Sequence, residues 1–232
     1  MTSQIVLIPG PMVGASSMSP TADRLRAGGM TVQVPDVLGA YGGMPRWSEW
    51  PERLETLIAL EGEAILVGYS ASTDLAAALA TRLPTQGVIF LDGAIPGASG
   101  PTRPGSERLR VLVQSIASED GQLPLWSDWF QTDQLKSMIG LDELTRDKAA
   151  YQAFLREQPT VTLGWFDDTI DIPTWDNIPA GYIQTSGFYA AAAEDAQRRG
   201  WPVVQLEGTH LHPTLKPDET ATAIADICRT FG

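Results

Sequence analysis

The chain has 232 residues, 43% hydrophobic and 19% charged, enough to bury a large core as one domain with room for an inserted subdomain. A net charge of −12 argues against nucleic acid or an anionic membrane surface as partner, and no acidic run is long enough to form a tail. The one cysteine, Cys228, excludes an intramolecular disulfide framework and, in an apolar-patterned last helix, reads as a buried structural thiol.

Met1-Thr2-Ser3-Gln4 carries no charged region and Ile5–Ile8 is too short for a leader's apolar segment, so a cytoplasmic protein is expected. No apolar run approaches the ~20 residues of a membrane span. Gln4–Ile8 is itself a short apolar strand, ended by Pro9-Gly10-Pro11. A Ser/Gly-rich turn leads to a helix around Pro20–Ala27, stopped by Gly28-Gly29, and Met30–Val34 is a second strand closed by Pro35-Asp36. Residues 38–46 read as glycine-rich loop, and Ser48 as the N-cap of a helix with Pro51 in its first turn.

Ala64-Ile65-Leu66-Val67 is the next strand, continuous in its apolar residues as a strand buried on both faces must be. The Ala/Leu-rich run Asp74–Ala80 that follows reads as a helix. Only Gly68-Tyr69-Ser70-Ala71-Ser72 separates the two, so the chain turns from strand to helix over a serine flanked by small residues, the geometry of a nucleophile elbow. The pattern G-x-S-x-G is incomplete, because Ser72 stands at its last position. Asp74, on the helix, is expected to face solvent or to cap locally. Val88–Leu91 is a fourth buried strand, terminated by Asp92-Gly93.

The alternation then breaks. From about Pro96 to Pro179 the patterns are helical (106–117, 132–139, 141–156) with no convincing buried strand. It resumes with a strand at 181–185, a helix over Ala190–Arg199, a strand Pro202–Leu206 and a last helix from Pro217 to Thr230. These elements predict an α/β fold: a doubly wound, mostly parallel sheet of about six strands. Residues 1–96 and 179–232 form its core, and 97–178 a helical lid inserted after the fourth strand.

Both histidines lie in Glu207-Gly208-Thr209-His210-Leu211-His212-Pro213, between the last strand and the last helix. Loops after strand C-termini line the functional crevice of such sheets, so Ser70 and this loop open on one edge. A serine hydroxyl needs a base to remove its proton, and neutral imidazole is the usual one.

With elbow, histidine loop and strand order together, the chain resembles the α/β-hydrolase fold family, in its small, cofactor-independent, esterase-like branch. The resemblance spans nearly the whole chain, although the family's first two antiparallel strands are missing. It implies Ser70 as nucleophile and His210, two residues after Gly208, as base, with His212 as a neighbour shaping the pocket. The family most often places the acid after the strand at 181–185, where this chain has Ser186-Gly187-Phe188-Tyr189 and no carboxylate. Its alternative position is the end of the preceding strand, which is Asp92; Asp195, or no acid, are the other possibilities. The oxyanion donors implied are the N–H of Ala71 and one from the loop after the first strand. There the aligned residue is Pro11, which has no N–H, so Met12 is expected to donate instead.

The pocket is expected to include Tyr69, His212, Trp126, Trp129, Phe130 and Trp165, the aromatic residues either lining it or packing the lid onto the core. Neither metal spacing nor a phosphate-loop pattern is present, and no cofactor is expected. The resulting expectation is an enzyme cleaving an ester, thioester or lactone of a small, apolar molecule through Ser70, His210 and Asp92. Pro11 and the missing carboxylate motivate an alternative, a lyase or cyclase using the Ser/His pair for proton transfer. A non-catalytic ligand-binding member of the fold is the third reading. Oligomeric state is left open.

Overall fold

The computed structural model describes residues 4–232, so the Met1–Ser3 stretch read for a leader lies outside the described residues. In chain order the first half runs β1 (Gln4–Ile8), α1 (Ser19–Ala27), β2 (Val32–Gln33), α2 (Val37–Tyr41), α3 (Trp50–Leu57), β3 (Ala64–Tyr69), α4 (Ser72–Ala80) and β4 (Thr85–Leu91). The inserted segment holds β5 (Gly100–Thr102), α5 (Glu107–Ile116), α6 (Asp133–Ile139), α7 (Leu141–Leu144), α8 (Lys148–Glu157) and β6 (Ile170–Ile172). The chain closes with β7 (Ala180–Gln184), α9 (Ala190–Arg198), β8 (Val203–Gln205), α10 (His212–Leu215) and α11 (Pro217–Cys228).

The main sheet has six strands in the order β2-β1-β3-β4-β7-β8, every neighbouring pair parallel. From β1 the chain goes outward to β2, then crosses to β3 on the other side. The strand order therefore reverses between β1 and β3, and the loops leaving these two strands diverge to leave a crevice.

Successive strand residues point to opposite faces, and the core divides accordingly. Val6, Ile8, Leu66, Val88 and Phe90 pack with Trp50 and Leu54 of α3, with α4, and with Ala193 and Ala196 of α9. Ile5, Leu7, Ile65, Val67 and Ile89 pack with Leu25 of α1 and with Ile224 and Ile227 of α11. Full burial of such a side chain contributes about 1.5–3 kcal/mol, so the continuous apolar strands are what require helices on both sides. Helix α4 is buried along all nine of its residues, because α3 and strand β6 pack on it away from the sheet, with Ile170 and Ile172 in the same core. Among the described residues no helix is long and apolar enough to cross a membrane.

Several predicted elements differ. Within the expected loop 38–46, α2 forms because the Asp36 carboxylate accepts the Gly39 N–H (2.9 Å) at its start and left-handed Gly42 ends it. Ser48 does not cap a helix: it lies in a 3-10 turn, and its hydroxyl and N–H donate to Asp168 (2.7 and 2.9 Å) across 120 residues of sequence. The helix read over 141–156 is two, broken where Asp147 turns its carboxylate onto the N–H groups of Ala149 and Ala150 to start α8. The segment 96–179 does contain strands, the antiparallel β5–β6 ribbon, whose three-residue length and Pro101 leave no strand pattern to read. The second strand contracts to two edge residues. Cys228 is half-buried, and burial pushes its thiol up to about 11.

Candidate active site

Strand β3 ends at Tyr69, and Ser70 carries φ of 58°, a left-handed conformation that costs a non-glycine residue about 1–3 kcal/mol. Its surroundings hold it there. The Ser70 N–H donates to Leu91 O (3.0 Å), and its carbonyl accepts the N–H and hydroxyl of Thr73 (3.2 and 3.0 Å). Two glycines let strand and helix approach. A Cβ on Gly68 would lie 2.4 Å from Ser72 O and 2.8 Å from Ala76 Cβ, and one on Gly93 would lie 2.2 Å from Ser70 O. Gly68→Ala is therefore expected to cost about 1–3 kcal/mol by overpacking and to lower the thermal midpoint by roughly 5 °C in a chain of this size. Circular dichroism melting checks this, and an unchanged midpoint would contradict the close approach.

Ser72, the departure from the glycine pattern, has a use: its buried hydroxyl donates to Pro9 O (2.6 Å), tying the elbow to the loop after β1. That loop turns at Gly10–Val13, where the Val13 N–H bonds Gly10 O (3.1 Å). Among the described residues neither the Met12 N–H nor the Ala71 N–H finds a protein acceptor, and both residues line a recess of about 40 Å³ at Ser70.

His210 arrives from the loop after β8. Its Nε2 is 3.0 Å from Ser70 Oγ, and its Nδ1 is 2.7 Å from Asp92 Oδ2. Tyr69 fixes the loop, its hydroxyl donating to His210 O (2.6 Å) and its ring stacking on the imidazole at 5.1 Å. Burial and the Asp92 charge hold the Tyr69 phenol well above its ordinary range, so it stays a donor. The inserted segment adds a further tie, Leu211 N–H to Ile139 O (2.9 Å).

Asp92 is fully buried at the end of β4, with φ of 44°. Its Oδ1 accepts the N–H groups of Thr185 and Ser186 (both 2.8 Å), and its Oδ2 accepts the Ser186 hydroxyl (2.7 Å) beside His210. The loop after β7, which lacks a carboxylate, thus provides the donors that hold one contributed by β4. Asp195, the other acid considered, is on α9 and pairs with Arg199 and Arg198 (2.7 and 3.1 Å), away from His210.

Beside the Ser70–His210 pair lies a cavity of about 480 Å³ between the sheet edge and the inserted segment. Its wall is largely apolar, with Ile95, Leu109, Leu112, Trp126, Phe130 and Ile139. Trp129, Trp165 and Tyr69 line the smaller recess instead, and the two indole N–H groups are taken by Pro124 O and Pro45 O (2.9 Å each). His212 is not a wall residue. Its buried ring lies against Gly208, Nε2 is 3.4 Å from Glu219, and burial lowers its basicity. The reason is its place at the start of α10, which turns the side chain into the protein.

Among the wall residues that went unread in the sequence, two are titratable and lie beside Ser70. Tyr189 joins His210 at the cavity, and burial pushes its phenol up to about 12. Asp74 is not on the surface: it is 9% exposed, lines the cavity, and burial pushes its carboxyl up to about 7. The signal for it was the absence of any polar face on α4, which leaves the helix's only charged residue no solvent side. Among the described residues no group of three or more His, Cys, Asp or Glu side chains is placed to hold a metal ion.

A parallel doubly wound sheet with a serine on a strained strand-to-helix turn, and a histidine beside it from the last loop, defines a class of α/β protein that works at its strand C-termini. The chain belongs to the alpha/beta hydrolase family, which matches residues 5–223. Solved structures agree on the fold. The pyrethroid hydrolase PytH superposes with a TM-score of 0.70 at 20% identity, covering 99% of this chain and 98% of that one. Tomato methylketone synthase I complexed with 2-tridecanone gives 0.68 at 15% identity over 100% of both chains. An extracellular alpha/beta-hydrolase from a Paenibacillus species gives 0.67 at 16% identity, covering 97% and 98%. Among curated proteins no sequence match is found.

Proposed function

We propose that the protein is a serine hydrolase cleaving an ester, thioester or lactone of a small, largely apolar molecule. The observation that carries this is the line Ser70 Oγ, His210 Nε2, His210 Nδ1 and Asp92 Oδ2, with links of 3.0 and 2.7 Å. In this reading His210 takes the Ser70 proton as Oγ attacks the carbonyl carbon, and Asp92 holds the ring in the tautomer whose Nε2 can accept it. The N–H groups of Ala71 and Met12 receive the oxyanion. The tetrahedral adduct then collapses to an acyl-serine while His210 returns the proton to the departing oxygen or sulfur. Water, deprotonated by His210, releases the acid and restores Ser70. No cofactor enters these steps.

Segment 97–178 acts as the lid, and its apolar wall selects the substrate. The complex of methylketone synthase I with 2-tridecanone shows that a chain of this fold holds a small apolar ligand. The two features that favour a lyase each have a counterpart here. The N–H of Met12 is free where Pro11 offers none, and Asp92 meets His210 where the loop after β7 carries no acid. Both support hydrolysis. The test is a fluorophosphonate probe followed by peptide mass analysis: the adduct is expected on Ser70, with p-nitrophenyl butyrate turnover lost in proportion. Labelling at another residue, or turnover that survives full labelling, would sink the proposal.

A further inference from the structure

Asp74 is a cost to the fold that the hydrolytic mechanism does not use. It is 9% exposed, among the described residues its carboxyl has no hydrogen-bond donor or ion-pair partner, and its remaining exposure is to the cavity shared with Ser70. An unpaired buried carboxyl is destabilising, and nothing in helix packing requires one where the rest of α4 beyond Thr73 is alanine and leucine. The other titratable side chains facing the cavity are His210, Tyr189 and Arg108. His210 is engaged with Ser70 and Asp92, and Arg108 is exposed at the rim. Asp74 is thus the one carboxyl on a largely apolar wall, one helical turn beyond Ser70 and facing the same cavity as the Tyr189 hydroxyl.

We infer that Asp74 is a specificity residue that accepts a hydrogen bond from a hydroxyl group of the substrate, so that the preferred substrates are hydroxylated, otherwise apolar esters. This rests on the hydrolytic reading of Ser70 for where the ester sits. The hydroxyl lies on the acyl or alcohol part that enters the large cavity, while the reacting carbonyl stays at the recess formed by Met12 and Ala71. Burial pushes the carboxyl up to about 7, and both its forms accept a hydrogen bond.

The experiment compares p-nitrophenyl phenylacetate with its 3- and 4-hydroxyphenylacetate analogues on the wild-type chain, Asp74→Leu and Asp74→Asn. Above about pH 8, where the Asp74 carboxyl is ionised, the better hydroxylated ester is expected to exceed the parent on the wild type by about 10- to 100-fold in kcat/KM, the value of a hydrogen bond to a charged group. In Asp74→Leu the ratio should fall to near one, and in Asp74→Asn, which keeps an acceptor oxygen, part of it should return. A ratio near one in the wild type, or one that Asp74→Leu leaves unchanged, overturns the inference.

Binding of 4-(4-hydroxyphenyl)butan-2-one against 4-phenylbutan-2-one, measured by calorimetry on the Ser70→Ala chain with and without Asp74→Leu, asks the same question without catalysis. The hydroxylated ketone is expected to bind more tightly only where Asp74 is present. No hydroxyl preference in the wild-type chain, with Ser70 labelled by fluorophosphonate, defeats the inference alone. A hydroxyl preference in binding, with Ser70 unlabelled, defeats the hydrolytic reading alone. Leucine fills the same space without a buried charge, so the thermal midpoint should rise. A large fall with the ratio intact would assign Asp74 to the fold instead.

Discussion

Ser70→Ala is expected to lower kcat for p-nitrophenyl butyrate by about 10⁵- to 10⁶-fold, and His210→Ala by a similar factor, with the double variant no worse than either. The reason is that in the proposed mechanism nucleophile and base act as one unit. An unactivated hydroxyl attacks no better than water, and an imidazole without a hydroxyl at 3.0 Å has no proton to take. The residual rate then comes from the remaining parts of the site, chiefly the N–H groups of Met12 and Ala71 beside a bound ester. Steady-state kinetics on the three variants, each checked for a native melting curve, measures this. A loss of only about tenfold in Ser70→Ala would remove serine from the chemistry. Multiplicative losses in the double variant would mean that the two residues work separately.

How much of this was legible before the structure depends on how local the physics is. Strands β1, β3 and β4 are continuous apolar runs because each is buried on both faces, and that pattern is visible in five or six residues. The elbow was legible for the same reason, since the close approach of Gly68 to Ser72 and Ala76 demands small residues within one turn. His210 could be placed by its position after the last strand.

What could not be read depended on distant partners. Ser48 has the composition of a helix cap, but Asp168 takes its hydroxyl. His212 shares a loop with His210, yet α10 begins between their side chains and turns one of them inward. Asp74 has the look of a surface residue when taken alone; the missing polar face of α4 hints otherwise, but the strand that folds over the helix, β6, lies far along the chain. Strands β5 and β6 are themselves too short to carry a period. The carboxylate that meets His210 was half-legible: Asp92 stood at a permitted place, but the donors that hold it, Thr185 and Ser186, are 93 and 94 residues further on. A missing carboxylate after β7 and a serine well suited to bond one from β4 are two sides of one arrangement.

That arrangement makes Asp92→Asn the second large effect, an expected fall in kcat of about 10⁴-fold near neutral pH with the fold kept. An asparagine there can leave its oxygen where Oδ1 accepts the N–H groups of Thr185 and Ser186, so two of the four contacts survive. Its amide nitrogen then replaces Oδ2, facing the Ser186 hydroxyl and His210 Nδ1. The hydroxyl can reverse and accept. The imidazole can accept at Nδ1 only by carrying its proton on Nε2, which now points N–H at Ser70 and cannot take the serine proton. Activity is lost through the tautomer while the loop after β7 stays anchored. Asp92→Ala, by contrast, orphans both N–H groups in a fully buried site and is expected to destabilise the chain by several kcal/mol as well. Thermal melts with kcat on both variants distinguish the two effects. If Asp92→Asn keeps a tenth or more of the wild-type rate, Asp92 is an anchor for the loop after β7 and has no part in orienting His210.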